Sequence, residues 1–460
     1  MSDVRQLSGF ERLLSLFTRV QAGEGRCIAL LGVQACSLMV AYYLIRPVRE
    51  ALILTEGDAE LRSYAVGVQA LLLIVIIPVY GLFVRRLAAG RVFQRVNAFF
   101  ALNLVVFFLL GQAGWRFGFL FFVWCSIFNV MLVAQFWAFA TELFSVKCGQ
   151  RLFSVIAVGA SGGAWIGSRL ASAGFETFGP YGLMLASAAI LAGVIYLGDW
   201  TRDCVPVDSR SAQPGAEHRI EQRRDRAARW LGGFAVIARS RYLVGIAALV
   251  VLLNWIASTG DYLLSSWLLD VARQEAPEAQ AAFIGRFMGD YFSAITLVGF
   301  LIQLLLVSRI ILLAGLARAL MVTPVVFFAG YLLIGVVPVF ALLQSVLVVQ
   351  KSLDYSLLNT TRNALLLPTH RDEKYQAKTA IDTFYFRLGD LLSTLSVFIG
   401  LRLFDDARLQ FVWLVLLLSA VMTLVAWLIG REYARRYEPA RDGSGRNALP
   451  VSVPRPVLAQ

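Results

Sequence analysis

The chain has 460 residues, 58% of them hydrophobic and 16% charged, with a net charge of +12. Soluble domains carry about 45–50% apolar and about 25% charged residues, so a water-soluble fold is excluded as the first reading. Apolar stretches of about 20 residues, the length a helix needs to cross the hydrocarbon core, recur throughout and point to an all-α polytopic membrane protein.

In chain order, residues 1–26 carry Phe10, Leu13, Leu14, Phe17 and Val20 at helical spacing, which predicts an amphipathic helix in a cytoplasmic N-terminal segment. Apolar spans follow near 27–45, 64–84, 96–111, 117–140, 152–174 and 181–198, and make an N-terminal six-helix half over 27–198. The polar stretch 199–241 holds nine arginines and reads as a cytoplasmic linker. A second series near 242–269, 291–307, 319–337, 339–358, 377–401 and 411–430 makes a C-terminal half over 242–430. The Arg-, Gly- and Pro-containing tail, 431–460, is expected to be disordered and cytoplasmic.

Twelve transmembrane helices are therefore expected. Each span of the second half starts 215 to 230 residues after its counterpart, as an internal repeat requires, which implies a 6+6 pseudo-two-fold architecture. With both termini on one side, 30 of the 42 Lys and Arg residues fall on that side. The positive-inside rule then makes it the cytoplasm, most simply beneath a bacterial inner membrane. The positive charge is read as topology, not as a nucleic-acid surface.

Charges at mid-membrane cost several kcal/mol, so they mark solute or ion paths. Counting inward from the span ends places Lys351 and Asp354 mid-span in the tenth helix, and Arg387 and Asp390 mid-span in the eleventh. On a helical wheel Lys351, Tyr355, Leu358 and Arg362 share one face, flanked by Asp354 and Asn359. Arg387 and Asp390 are spaced to pair, and Lys378, Asp382 and Tyr385 form a second face. The competing account is that these ions pair with one another and simply hold helices together.

The first span ends in Tyr43, Arg46, Pro47, Arg49 and Glu50, a proline-bent corner whose arginine donors fit phosphate or carboxylate oxygens. Asn129 in the fourth span is polar at useful depth. Gly159, Gly163 and Gly167 are spaced for close helix packing. The five cysteines have no metal-ligand spacing, and there is no phosphate loop or HExxH, so no enzyme, metal or cofactor is expected.

Several stretches resemble the ATP:ADP antiporter family of nucleotide transporters and its wider bacterial relatives, a branch of the major facilitator superfamily. They are YYLIRPVREAL (42–52), QFWAFATELF with RLFSVIAVGAS (135–161), DEKYQAKTAIDTFYFRLGD (372–390), and more weakly STGDY from Ser258 and FIGRF from Phe283. The resemblance implies a major-facilitator-like fold and exchange of nucleotides by alternating access. It puts Arg49 at the position of a lysine thought to contact phosphate, with Glu50 in place of an aspartate. Two departures stand beside it: Cys125 or Ser126 where nucleotide exchangers carry a glutamate, and Asp390 where they carry a lysine.

The resulting expectation is an antiporter of nucleotides or other phosphorylated, anionic metabolites. Its substrate-binding set is Tyr43, Arg46, Arg49, Glu50, Asn129, Lys351, Asp354, Tyr355, Arg362, Arg387 and Asp390, and its cytoplasmic gate is Lys374, Tyr375, Lys378 and Asp382. The alternatives are a proton-coupled carrier of another solute using Asp354 and Asp390, and a non-transporting membrane receptor or assembly partner binding through its Arg-rich loops.

Overall fold

A computed structural model describes residues 25–83, 89–143, 146–204, 232–367, 369, 371–404 and 407–437. The expected N-terminal amphipathic helix, most of the linker and the tail beyond Tyr437 lie outside the described residues.

The described chain is a bundle of helices that run alternately up and down. In the first half these are α1 (Gly25–Glu56), α2 (Ala59–Phe83), α3 (Ala89–Gln112) and α4 (Gly118–Leu143). The stretch Val146–Asp203 then bends at Gly179, whose positive φ of 64° breaks the helix, and Pro180 restarts it. Its arms, 146–178 and 180–203, are α5 and α6. The second half holds α7 (Arg241–Glu275), α8 (Gln280–Leu305), a short helix Val307–Ala314, and α9 (Leu316–Val336). After these come α10 (340–365), α11 (371–403) and α12 (Arg408–Tyr437).

Among the described residues ten stretches are long and apolar enough to cross a membrane, against the expected twelve. The difference has two sources. The candidate Val155–Gly198 contains both arms of the Gly179 bend and is 44 residues long, about twice what one crossing takes. The tenth expected span has no counterpart because α10 carries Gln344, Gln350, Lys351, Asp354, Asn359 and Arg362 and is less apolar than the others; a π turn over Asp354–Leu358 also divides it into Phe340–Leu353 and Asn359–Leu365. A second π turn, Ile381–Tyr385, interrupts α11.

The bundle's outside is apolar, as a lipid-facing surface must be: Leu102 is 63% exposed and Leu417 62%. Its centre is α1, most of whose side chains are buried. The glycine stripe of α5 lies directly on α1. A Cβ at Gly159, Gly163 or Gly167 would run into the backbone of Gly32, Cys36 or Val40, so only glycine lets the two helices approach this closely.

The turns at Gly57, Gly114 and Gly179 and those after α7, α9 and α11 share one end of the bundle. Toward this end the two halves are tied together. Arg169 of α5 meets Asp290 of α8 at 2.7 Å, Arg286 of α8 meets Glu176 of α5 at 2.6 Å, and the Thr394 hydroxyl of α11 donates to the Ser63 carbonyl of α2 at 3.0 Å.

Candidate functional site

Arg46 lies ten residues before the end of α1, about 15 Å of helix, or half the thickness of a hydrocarbon core. Pro47 behind it leaves the Tyr43 carbonyl without its helical partner and fixes the bend at this depth. The Arg46 guanidinium sits 4.0 Å over the ring of Phe292 on α8 and donates to the Tyr43 hydroxyl at 3.2 Å. It also reaches Tyr355 on α10. Among the described residues it meets no carboxylate, and its buried Nε has no hydrogen-bond acceptor.

One turn further along α1, Glu50 is 1% exposed and sits between two arginines, Arg49 at 2.6 Å and Arg62 of α2 at 2.6 Å. Arg49 also donates to Ser126 of α4 at 3.3 Å, and Ser126 in turn bonds Gln69 of α2. Ser126 is one of the two residues, with Cys125, that the resemblance sets where nucleotide exchangers carry a glutamate, and Cys125 beside it is buried. Arg62 carries the network into the second half, 3.9 Å from Asp261 on α7, and Asp261 is bonded to Lys351 of α10 at 3.0 Å.

Below this chain, Arg387 and Asp390 pair along α11 at 3.3 Å, and Asp390 accepts from Ser258 of α7 at 2.6 Å. Further along, Arg362 meets Asp382 at 3.7 Å and Lys378 donates to Asn363, so this group ties α10 to α11. Asp354 lies within electrostatic reach of Lys351 and Arg362 but makes no hydrogen bond or ion pair among the described residues. Asn129 is half-buried on α4 with no side-chain hydrogen bond among them either. Lys374 is half-buried at the start of α11, while the side chain of Tyr375 is outside the described set.

One expectation needs correcting. The α-helical wheel put Leu358 on one face with Lys351 and Tyr355, yet Leu358 is 1% exposed and Tyr355 46%. The π turn adds a residue to the turn that contains both, which rotates everything after it. Arg387 pairs with Asp390 inside the expected set, Lys351 pairs with Asp261 outside it, and Arg46 is a mid-membrane cation with no carboxylate partner among the described residues. Sequence reasoning missed Arg62 and Asp261, which link the halves.

Residues 159–163 spell Gly-x-Ser-x-Gly, the pattern of a hydrolase nucleophile elbow, which needs a sharp strand-to-helix turn. Here the pattern lies inside α5, and the Ser161 hydroxyl is spent on the Ala157 carbonyl at 3.1 Å. It is a packing stripe.

With this geometry in place, the family model for the TLC ATP/ADP transporter matches residues 108–346, more than half of the chain. The chain belongs to that family. The ADP,ATP carrier protein 1 of Chlamydia pneumoniae is 25% identical over 298 residues, covering 57% of this chain and 56% of the relative. That of Chlamydia muridarum is 26% identical over 301 residues, with 57% and 54% covered. The chain thus spans about half the length of these curated relatives.

Among solved structures, the nucleoside transporter NupG superposes with a TM-score of 0.61 at 12% identity, covering 88% of this chain and 99% of that one. The POT family transporter PepTSo gives 0.61 at 11% identity, with 89% and 99% covered. These likenesses show a major-facilitator-like transporter fold, and the chain is an integral membrane protein.

Proposed function

We propose that this protein carries nucleotides or closely related phosphorylated anions across a bacterial inner membrane by alternating access, as an exchanger. Arg46 is the observation that carries the reading. A mid-membrane guanidinium that has no carboxylate among the described residues, is stacked on Phe292 and keeps a buried N–H unused is costly unless an anion visits it. Arg49 and Arg387 each leave a buried Nε unbonded in the same neighbourhood, so three arginine forks have donors to spare. The similarity to the ADP,ATP carriers of Chlamydia favours nucleotides, and halves tied toward the Gly57 end suit rocking about a central site. Both termini face the cytoplasm in this proposal, and Arg362, Lys374, Lys378 and Asp382 lie on the cytoplasmic side, where a gate would close.

Counterflow in proteoliposomes tests the reading. Vesicles loaded with unlabelled nucleotide should accumulate labelled nucleotide from outside, and Arg46→Gln should sharply reduce this at nucleotide concentrations near the wild-type Kd while the protein stays folded. Folded, wild-type protein that shows no exchange over a panel of nucleotides and phosphorylated metabolites would sink it.

A second reading rests on Asp354, an intramembrane carboxylate with no bonded partner among the described residues, on a π turn of α10. Such a group is suited to carry a proton, whereas Asp390 is held by Arg387 and Ser258. In that case Asp354→Asn removes accumulation driven by a pH gradient and spares counterflow. A variant that still accumulates solute rules the coupling role out.

A further inference from the structure

Residues 232–239, near the end of the linker, form a short helix that lies against α11 where its π turn begins. Gly233 is the seat. A Cβ there would stand 2.6 Å from the Gln376 carbonyl oxygen and 3.0 Å from the Ala380 side chain, which is fully buried at this contact. Phe234 then meets the two residues that close the π turn, with ring centroids 5.1 Å from Phe384 and 5.9 Å from Tyr385. Tyr242, at the start of α7, donates to the Leu365 carbonyl at 2.9 Å, so one short stretch of chain touches both α10 and α11 at the end opposite Gly57. Eight residues are too few for a helix to persist in water without tertiary contacts. A π turn gives up α-type hydrogen bonds and is rare outside functional sites, so packing must hold it. The linker helix and the π turn therefore support each other.

We infer that the linker helix is a switch on the register of α11. The arm Arg371–Ala380 rides on the turn, and it is tied to α10 by Lys378, which donates to Asn363, and by Asp382, 3.7 Å from Arg362. Arg387 and Asp390 stand on the far side of the turn. Docked, the linker helix holds the π turn and the arm keeps both ties. Undocked, the extra residue leaves the turn, α11 becomes a continuous α-helix, and the arm rotates by about 100°, the angle of one α-helical residue. Lys378 and Asp382 then swing off Asn363 and Arg362, while Arg387 and Asp390 keep their places. The segment joining the halves thereby controls the end of the bundle where Arg362, Lys374, Lys378 and Asp382 would form a gate.

Spin-label distances on the full chain in lipid nanodiscs test this without substrate, so the result stands apart from the transport reading. Exposed Leu313 is the common reference, paired in turn with exposed Ala238 on the linker helix and exposed Glu373 on the arm. Gly233→Leu drives a side chain into the Gln376 carbonyl and should free the linker helix; Phe234→Ala, which removes the ring and adds no bulk, should do the same if Gly233→Leu does not fold. Both distances should change, the arm's by up to about 8 Å, which is how far a side chain on a helix about 10 Å across moves through that angle. Coupling runs both ways, so deleting Thr383, which takes the extra residue out of the turn, should free the linker helix with residues 232–239 untouched. An arm distance that keeps its wild-type value when the linker helix is free overturns the inference and leaves a packing contact. A linker helix that stays docked in both substituted variants, or after the deletion, overturns it as well.

Discussion

Replacing Arg46 by Gln separates a ligand-binding role from a structural one, because the structure gives the two different sizes. On the structural side the substitution removes a cation stacked 4.0 Å from Phe292, worth about 2 kcal/mol when desolvated, and one hydrogen bond to Tyr43, worth about 1 kcal/mol. It also removes a buried charge with no carboxylate beside it among the described residues, a gain of similar size, so stability should change by no more than about 1 kcal/mol. On the binding side a phosphate oxygen charge about 4 Å from the guanidinium gains about 4 kcal/mol at an effective dielectric of 20. Truncating one partner of a buried charge pair costs about 2–5 kcal/mol, and Arg49, Lys351 and Arg387 remain to hold the anion. The lower part of that range, about 2–3 kcal/mol, applies, or roughly a 30- to 150-fold weaker Kd. Isothermal titration calorimetry on wild type, Arg46→Gln and Arg46→Lys, with a thermal melt of each, checks this. Lys should fall between, since it keeps the charge and loses the fork. A variant that melts many degrees lower yet binds nucleotide normally would falsify the assignment and make Arg46 a packing residue.

The other predictions concern what holds the site. Glu50→Gln leaves Arg49 and Arg62 without their shared carboxylate and should destabilise the fold by about 3–5 kcal/mol, seen as a large drop in melting temperature; a drop of only a degree or two means water already compensates those arginines. Arg62→Gln cuts the link from Glu50 to Asp261, so spin labels at Asp58 and Glu278 should report a longer or broader distance distribution, and an unchanged one shows that the link does not hold the halves. Gly163→Ala forces a methyl group into the Cys36 backbone and should cost about 1–3 kcal/mol, while Gly162→Ala, with open space around its Cβ, should be neutral or slightly stabilising; equal melting temperatures would show that α5 can shift off α1.

In the sequence Arg46 and Arg49 read as a corner ending the first span, although α1 runs on to Glu56 and sets Arg46 near mid-membrane; depth along the chain found Lys351, Asp354, Arg387 and Asp390, because a charge well inside an apolar run is rare and costly wherever the run folds. It could not say which charges meet. Arg62 sits just before the apolar run at 64–84 and looks like part of a loop, although the helix already starts at Ala59 and carries it back against Glu50. Asp261 lies inside an apolar span and was legible as a charge, but its bond to Lys351 joins residues 90 apart on different helices, which no single-helix periodicity contains. The face of α10 failed for a local reason: one π turn, invisible to a 3.6-residue wheel, buried Leu358 and exposed Tyr355. The glycine stripe was read correctly because its cause is local and steric.

The charge chain also suggests how ligand and conformation are linked. Glu50 holds Arg49 and Arg62, and Asp261 holds Lys351 while standing 3.9 Å from Arg62. An incoming phosphoryl group offers Arg49 and Lys351 the same kind of partner that the two carboxylates now supply. Once it takes them, Glu50 and Asp261 compete for Arg62, which cannot sit well between carboxylates on opposite halves if the halves move apart. Binding energy is therefore spent partly on loosening the Arg62 bridge, and a ligand shifts the equilibrium between two arrangements only by the difference in its affinity for them. An anion too weakly charged to displace Glu50 and Asp261 should bind at Arg46 without moving the halves, so occupancy and movement become separable measurements on one protein.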